Sequence, residues 1–337
     1  HVLNWILLGL AALLTLTEGG VNASASERYT FALVPNNTDS PYFDKAFEGC
    51  KKAQKETGDG VRCLYIGPGR NGGSDEQALI VHDLVANEVD GIAVAPSDVS
   101  AVAAALKAAG VKNIPIVTWN SDLSAKDTSL RAAFVGADDY QIGARIAKII
   151  LKKKPNGGVV CILAESVTEA TDSKRVQGIR DVLAAKGSAD EPVVRLNGQN
   201  GWREADGCPL YVKGDAVAAG QELNNTLTAQ PNLDALVLAD SLFELRPEVY
   251  KGIMSNFKPR LDSGRLVVVS VGTLPIQIEL LREGLSSGQV GQLPFEMGYK
   301  AMYLLKSLKD GAPPPKGPLL TGVSVCTSDN VATCNGD

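Results

Sequence analysis

Seven short apolar runs punctuate the chain: YTFALVPNN (29–37), VRCLYIGPG (61–69), VDGIAVAPSD (89–98), IPIVTWNSD (114–122), GVVCILAES (158–166), LDALVLADS (233–241) and LVVVSVGT (266–273). Each is close to continuous Val, Ile and Leu and ends in polar or turn-forming residues. Strands that alternate apolar and polar residues have one wet face, whereas continuous runs predict strands of a parallel sheet covered by helices on both faces. The segments between them carry apolar residues at helical spacing. PYFDKAFEGCKKAQKETG stops at Gly58, SDEQALIVHDLVANE opens with Ser74 as N-cap and Asp75 and Glu76 in its first turn, and VSAVAAALKAAG stops at Gly110. The pattern predicts an α/β architecture. Ligands of such sheets collect at the carboxyl ends of the strands, where this chain displays Asn36, Asn37, Asp98, Asn120, Asp122, Glu165 and Asp240.

The strand–helix rhythm is written twice. At AAFVGADDYQIGARIAKIILKKKP a strand reaches Gly136 and a long helix follows; then GGVVCILAES, DSKRVQGIRDVLAAKG and QELNNTLTAQPN restart the alternation. Gly136 is therefore expected at a first crossing between two halves. A chain of 337 residues, 45% hydrophobic and 21% charged, has enough apolar surface for two such cores.

Charge and histidine content narrow the chemistry. A net charge of −5 and the absence of a basic stripe interleaved with aromatics leave no footprint for nucleic acid. The Lys152–Lys154 run closes a predicted helix, where cations complement the dipole. Apart from His1 the only histidine is His82, on a helical pattern, so general acid–base chemistry would fall to carboxylates, as in a glycosidase. Two motifs resemble catalytic signatures out of context. Gly67-Pro68-Gly69-Arg70-Asn71-Gly72 fits a dinucleotide fingerprint but follows the second strand, and Asp90 opens the next strand instead of closing it, so a glycine-rich surface turn is expected there and no NAD. Gly284-Leu285-Ser286-Ser287-Gly288 fits a nucleophile elbow but follows a helix, with no histidine downstream, and reads as a glycine stop.

The N-terminus and the cysteines point outside the cytoplasm. Ile6–Leu16 is apolar over the length of an export leader, too short to span a bilayer, and Ala23-Ser24-Ala25 supplies a cleavage pattern, so residues 1–25 are expected to be removed. No cationic segment precedes the run and position 1 is His, so the sequence is expected to begin inside the leader. Six cysteines in an exported chain favour disulfides over metal ligation. Cys50 and Cys63 fall on a neighbouring helix and strand, Cys326 and Cys334 flank a short turn, and Cys161 with Cys208 remains; this is one of fifteen pairings that six cysteines allow.

The order PNNTDSPYFDKAFEGCKKA, VDGIAVAPSD, IPIVTWNSD, FVGADDYQIG, KRVQGIRDVL and VGQLPFEMGYKAMYLL resembles the periplasmic sugar-binding proteins of ABC importers, of the ribose/galactose-binding type related to LacI repressor cores. The resemblance covers nearly all of the chain after the leader. It implies a type I periplasmic-binding-protein fold, two Rossmann-like lobes joined by three crossing strands, with the ligand enclosed by hinge closure. The lobes are expected at 26–135 with 293–312 and at 136–292 with 313–337. The implied ligand set is Asn36, Asn37, Phe43, Asp98, Asn120 and Asp122 from the first lobe and Arg175, Asp240 and Gln292 from the second, with Tyr42, Trp119 and Trp202 as further stacking candidates. Aromatic faces suit sugar C–H groups, while carboxylates and a guanidinium fork pair with hydroxyls. The implied protein is a periplasmic, non-enzymatic monomer without cofactor or metal, delivering a small sugar to a membrane permease. A sensory receptor that signals to a chemoreceptor or sensor kinase would share the same pocket. The chain departs from the pattern in two places: VVVSVGT puts Gly272-Thr273 where many members carry an aspartate, and the segment 197–215 is longer than usual.

Overall fold

The computed structural model describes residues 28–69, 73–109, 113–165, 170–187, 190–212 and 216–334. The expected leader, residues Arg70–Gly72 of the glycine-rich motif and the expected helix stop at Gly110 lie outside them. In the first half β1 (Tyr29–Val34), α1 (Pro41–Glu56), β2 (Val61–Tyr65), α2 (Gly73–Ala86), β3 (Gly91–Val94), α3 (Val99–Ala109), β4 (Ile116–Trp119) and β5 (Ala133–Gly136) alternate strand and helix. The second contains α4 (Asp139–Lys153), β6 (Gly158–Ala164), α5 (Ala170–Leu183), β7 (Trp202–Glu204), β8 (Leu210–Tyr211), α6 (Ala216–Ala229), β9 (Ala235–Leu238), α7 (Pro247–Met254), α8 (Lys258–Asp262), β10 (Val267–Val271), α9 (Pro275–Arg282) and β11 (Gly288–Gln292). The chain then returns through α10 (Pro294–Lys309) and β12 (Leu319–Leu320) and closes on β13 (Val323–Thr327).

Two sheets result, ordered β12-β5-β4-β3-β1-β2 and β13-β11-β10-β9-β6-β7, with β8 also paired to β6. All pairings are parallel except β11 with β13. Both sheets repeat one doubly wound order, with the switch point between β1 and β3 in one and between β6 and β9 in the other. The strands behave as their unbroken apolar runs require: β3, β4, β9 and β10 are buried at every residue, and separate apolar clusters pack on the two faces of each sheet.

The chain passes between sheets three times, at 136–139, 292–294 and 320–323. The last lies later than expected. Leu319 pairs with Val135 and Leu320 with Gly136, so these residues belong to the first sheet; a two-residue strand after a Pro-Pro-Pro stretch has no period by which a sequence could assign it. The long segment 197–215 contains β7 and β8, two short strands laid on β6.

Each lobe has one helix crossing so close that only glycine fits. A Cβ on Gly49 of α1 would strike the Phe295 carbonyl of α10, and one on Gly298 the Ala46 carbonyl; in the second lobe Gly143 of α4 faces the Arg175 carbonyl and Gly178 of α5 the Tyr140 carbonyl. Backbone meets backbone here, so a side chain can enter only by separating the helices. Gly298→Val is expected to cost about 1–3 kcal/mol in urea unfolding, and a loss below about 0.5 kcal/mol would show that the crossing yields freely. Disulfides Cys50–Cys63, Cys161–Cys208 and Cys326–Cys334 join α1 to β2, β6 to the β7–β8 loop, and the two ends of the final turn, as the paired reading of the sequence anticipated.

Candidate functional site

A cavity lies between the lobes. Tyr42 and Pro294 reach it from the first lobe; Arg175, Asp240, Ser241, Val271, Gly272, Thr273, Leu274, Gln277 and Gln292 line it from the second. The second-lobe residues arrive on strand ends and the turns after them, apart from Arg175 and Gln277 on α5 and α9.

Arg175 is the best-anchored polar group. It is 3% exposed; its Nε donates to Asp139 Oδ1 at 3.0 Å, its Nη1 to the Ala239 carbonyl at 2.9 Å, and the same nitrogen lies 3.5 Å from Asp240 Oδ2. The Gly143–Gly178 crossing sets this position, because Arg175 sits on α5 where α5 touches α4. Burial raises the pKa of Asp139 above the usual carboxylate value, and the neighbouring guanidinium pulls it back down. Asp240 caps the short turn after β9, accepting from Leu242 N at 2.8 Å. Its carboxylate still has lone pairs to offer the cavity.

Tyr42 closes the site from the opposite lobe. Its hydroxyl lies 2.7 Å from Asn120 Oδ1 and 3.0 Å from Gln292 Oε1, so it ties the end of β4 to the end of β11 across the cleft. Asn120 adopts φ 62°, a left-handed turn that asparagine tolerates. Gln292 is 8% exposed, and its Nε2 is buried without a partner. Whichever way that amide is turned, one of its two polar atoms remains for a ligand.

Gln277 belongs to the wall without offering itself. Its Oε1 accepts from Leu274 N at 3.0 Å, and its Nε2 donates to the Val271 carbonyl and to Glu244 Oε2, each at 3.0 Å. Glu244 is fully buried and also accepts from Gln289 Nε2 at 2.9 Å. Burial pushes its pKa up to about 7, against the opposing effect of the amide donors.

Of the nine ligand-set residues, Arg175, Asp240 and Gln292 line the cavity and Asn120 reaches it through Tyr42. The structure uses others elsewhere. Asp98 is exposed and caps α3, accepting from Ser100 N and Ala101 N. Asp122 is held by Arg131 Nε and Nη2 and by the Thr118 hydroxyl. Asn37 Oδ1 accepts from Asp39 N in a local turn, and Asn36 Oδ1 is buried without a partner in that same loop and is not among the residues that line the cavity. Phe43 is 7% exposed and meets Trp119 edge-on at 5.8 Å, inside the core. Trp119 and Trp202 are wholly buried and serve as core residues rather than stacking platforms. Tyr42, one residue before Phe43, takes the cleft position because a helix turns about 100° per residue. Of the remaining lining residues, Ser241 and Val271–Leu274 follow strand ends legible in the sequence, where Gly272-Thr273 stood out as a departure from the family pattern, while Gln277 and Pro294 carried no signal of their own.

The described residues of the look-alike motifs have structural roles. Gly67 packs on Pro35, and the Pro68 carbonyl accepts from Thr38 N at 3.0 Å, so the described half of that loop braces the turn after β1. Ser286 is buried, with its hydroxyl on the carbonyls of Val268 and Gly288. His82 is half exposed on α2.

Two doubly wound lobes, three crossings and a cavity lined from both sides define a bilobal solute-binding protein. A family profile for the periplasmic binding protein domain matches residues 31–313, and the chain belongs to that family. It is 26% identical over 275 residues to the D-ribose/D-allose-binding protein of Pseudomonas aeruginosa, covering 80% of this chain and 78% of that one. To the ribose import binding protein of Escherichia coli it is 24% identical over 288 residues, 84% and 85% of the two chains. Among solved structures, an ABC transporter solute-binding protein of Burkholderia graminis in complex with D-arabinose superposes with a TM-score of 0.73 at 25% identity over 92% of this chain and 98% of that one. A glucose-galactose-binding protein of Geobacillus stearothermophilus gives 0.72 at 26% identity over 90% and 99%.

Proposed function

We infer that this chain is an exported, non-enzymatic receptor that closes its lobes on a small sugar and delivers it to an ABC permease. The observation that carries the reading is the set of polar groups at the cavity, Arg175 with Asp240 on one side and the Gln292 amide under Tyr42 on the other, supplied by both lobes. A polyol offers paired donors and acceptors to such a set, and the binding energy can be realised only when the lobes meet. Three disulfides suit an oxidising compartment, and among the described residues no helix is long and apolar enough to cross a membrane. The import role in a relative's name supports delivery to a permease over signalling to a sensor. The protein acts as a monomer, each chain carrying both lobes of its own cleft.

A thermal-shift and calorimetric screen over pentoses, hexoses and polyols tests the reading. One sugar class should stabilise the protein by about 1.4 kcal/mol per tenfold excess over its Kd, and Gln292→Leu should weaken that sugar about tenfold or more by removing a buried hydrogen-bond partner. Stabilisation by no carbohydrate, or release of products from a glycoside, would overturn it.

A further inference from the structure

The strand order spaces the cavity's polar groups unevenly. β10 lies between β9 and β11, with Ser270 beside Leu238, two residues before Asp240, and Val271 beside Val290, two residues before Gln292. The end of β10 therefore stands between the Asp240–Ser241 station and the Gln292 station. What it presents there is hydrocarbon: Val271 is 3% and Leu274 5% exposed, and both line the cavity, as does Pro294 from the other lobe. The side-chain amide on this strip is already engaged: Gln277 is used by Leu274, Val271 and Glu244. The Thr273 side chain packs against Gly291.

A hydroxyl pressed on the Val271 and Leu274 side chains gives up water and finds no partner in them. A C–H or methylene edge in the same place gains from burial. We propose that this site is built for a monodeoxy sugar, hydroxylated where it meets Asp240, Ser241 and Gln292 and deoxygenated at the carbon that faces Val271 and Leu274. The proposal rests on the sugar-receptor reading and adds a substrate class to it.

The test is a deoxy scan on the wild-type protein by isothermal calorimetry. Ribose, glucose and galactose are each compared with their commercially available monodeoxy derivatives, including 2-deoxyribose and 2-, 3- and 6-deoxyglucose. At most positions removal of a hydroxyl should weaken binding, but at one position it should tighten binding about 10- to 100-fold, the range over which an apolar surface discriminates against an added hydroxyl. Val271→Asp should then narrow or reverse that preference, and Leu274→Asn serves the same purpose should the aspartate variant fail to fold. If the fully hydroxylated parent binds most tightly in every series that binds, the apolar strip does not select the ligand and the proposal falls while the sugar reading stands. If no parent and no derivative binds, the sugar reading itself fails and takes the proposal with it.

Discussion

Arg175→Met is expected to destabilise the protein by about 3–5 kcal/mol, the usual cost of removing one partner from a buried ion pair. Methionine keeps much of the hydrophobic volume but leaves Asp139, whose side chain is 8% exposed, without its guanidinium, and leaves the Ala239 carbonyl without its donor. Burial already raises the pKa of Asp139, and Arg175 is the largest influence holding it down. In the variant the carboxyl should rise further, so the loss should be greater at pH 8, where the unpaired group must ionise, than at pH 5, where it can stay protonated. Urea unfolding at the two pH values measures this. Adding Asp139→Asn should restore a substantial part of the stability at pH 8 by removing the stranded charge. If the double variant is no more stable than Arg175→Met, then the pairing with Asp139 is not what makes Arg175 important, and its place in the fold must rest on Ala239 and Asp240.

The second large effect is a dependence of stability on pH that comes from Glu244. A carboxyl whose pKa is about 7 in the folded chain and near its ordinary 4.5 when unfolded binds its proton more tightly in the native state. The native state is thereby favoured at low pH, and the advantage is lost as pH rises through the interval from about 4.5 to 7. At 1.36 kcal/mol per pKa unit the full effect is about 3 kcal/mol. Glu244→Gln removes the titration, so the stability of the wild type relative to this variant should fall steadily from pH 5 to 7.5 and stay level above. Parallel profiles for the two proteins would mean that Glu244 does not titrate in this interval. Gln277 links Glu244 to the Val271 carbonyl, so the same titration acts directly behind the cavity wall.

The α/β class, the seven strands and the doubling of the architecture follow from local pattern. A run such as VDGIAVAPSD can be satisfied only by a strand with apolar cover on both faces, and GARIAKIILKK places its Ile residues on one helical stripe. The disulfide partners Cys50 and Cys63 were within reach because a helix and the strand after it pack together. Asp240 was legible because it follows an apolar strand run, where this architecture opens, whereas Arg175 and Gln292 were expected only from the resemblance to the sugar-binding family.

Tertiary structure decided the rest, since polar side chains at strand ends have more than one use. Asp98 precedes the bare N–H groups of α3 and caps them, and Asp122 meets Arg131, a partner nine residues away that only the turn before β5 brings into reach. Asn120, at an equivalent strand end, is left to face Tyr42. The choice between Tyr42 and Phe43 depended on the rotation of α1 against α10, which the backbone approach of Gly49 to Phe295 and of Gly298 to Ala46 fixes. The apolar strip of Val271 and Leu274 became part of a site only when β10 took its place between β9 and β11. Local sequence thus determined which segments are strands and helices, through burial periods that each segment carries within itself. Which side chains meet across the cleft depended on strand order, helix rotation and three crossings, whose determinants are contacts between residues far apart in the chain.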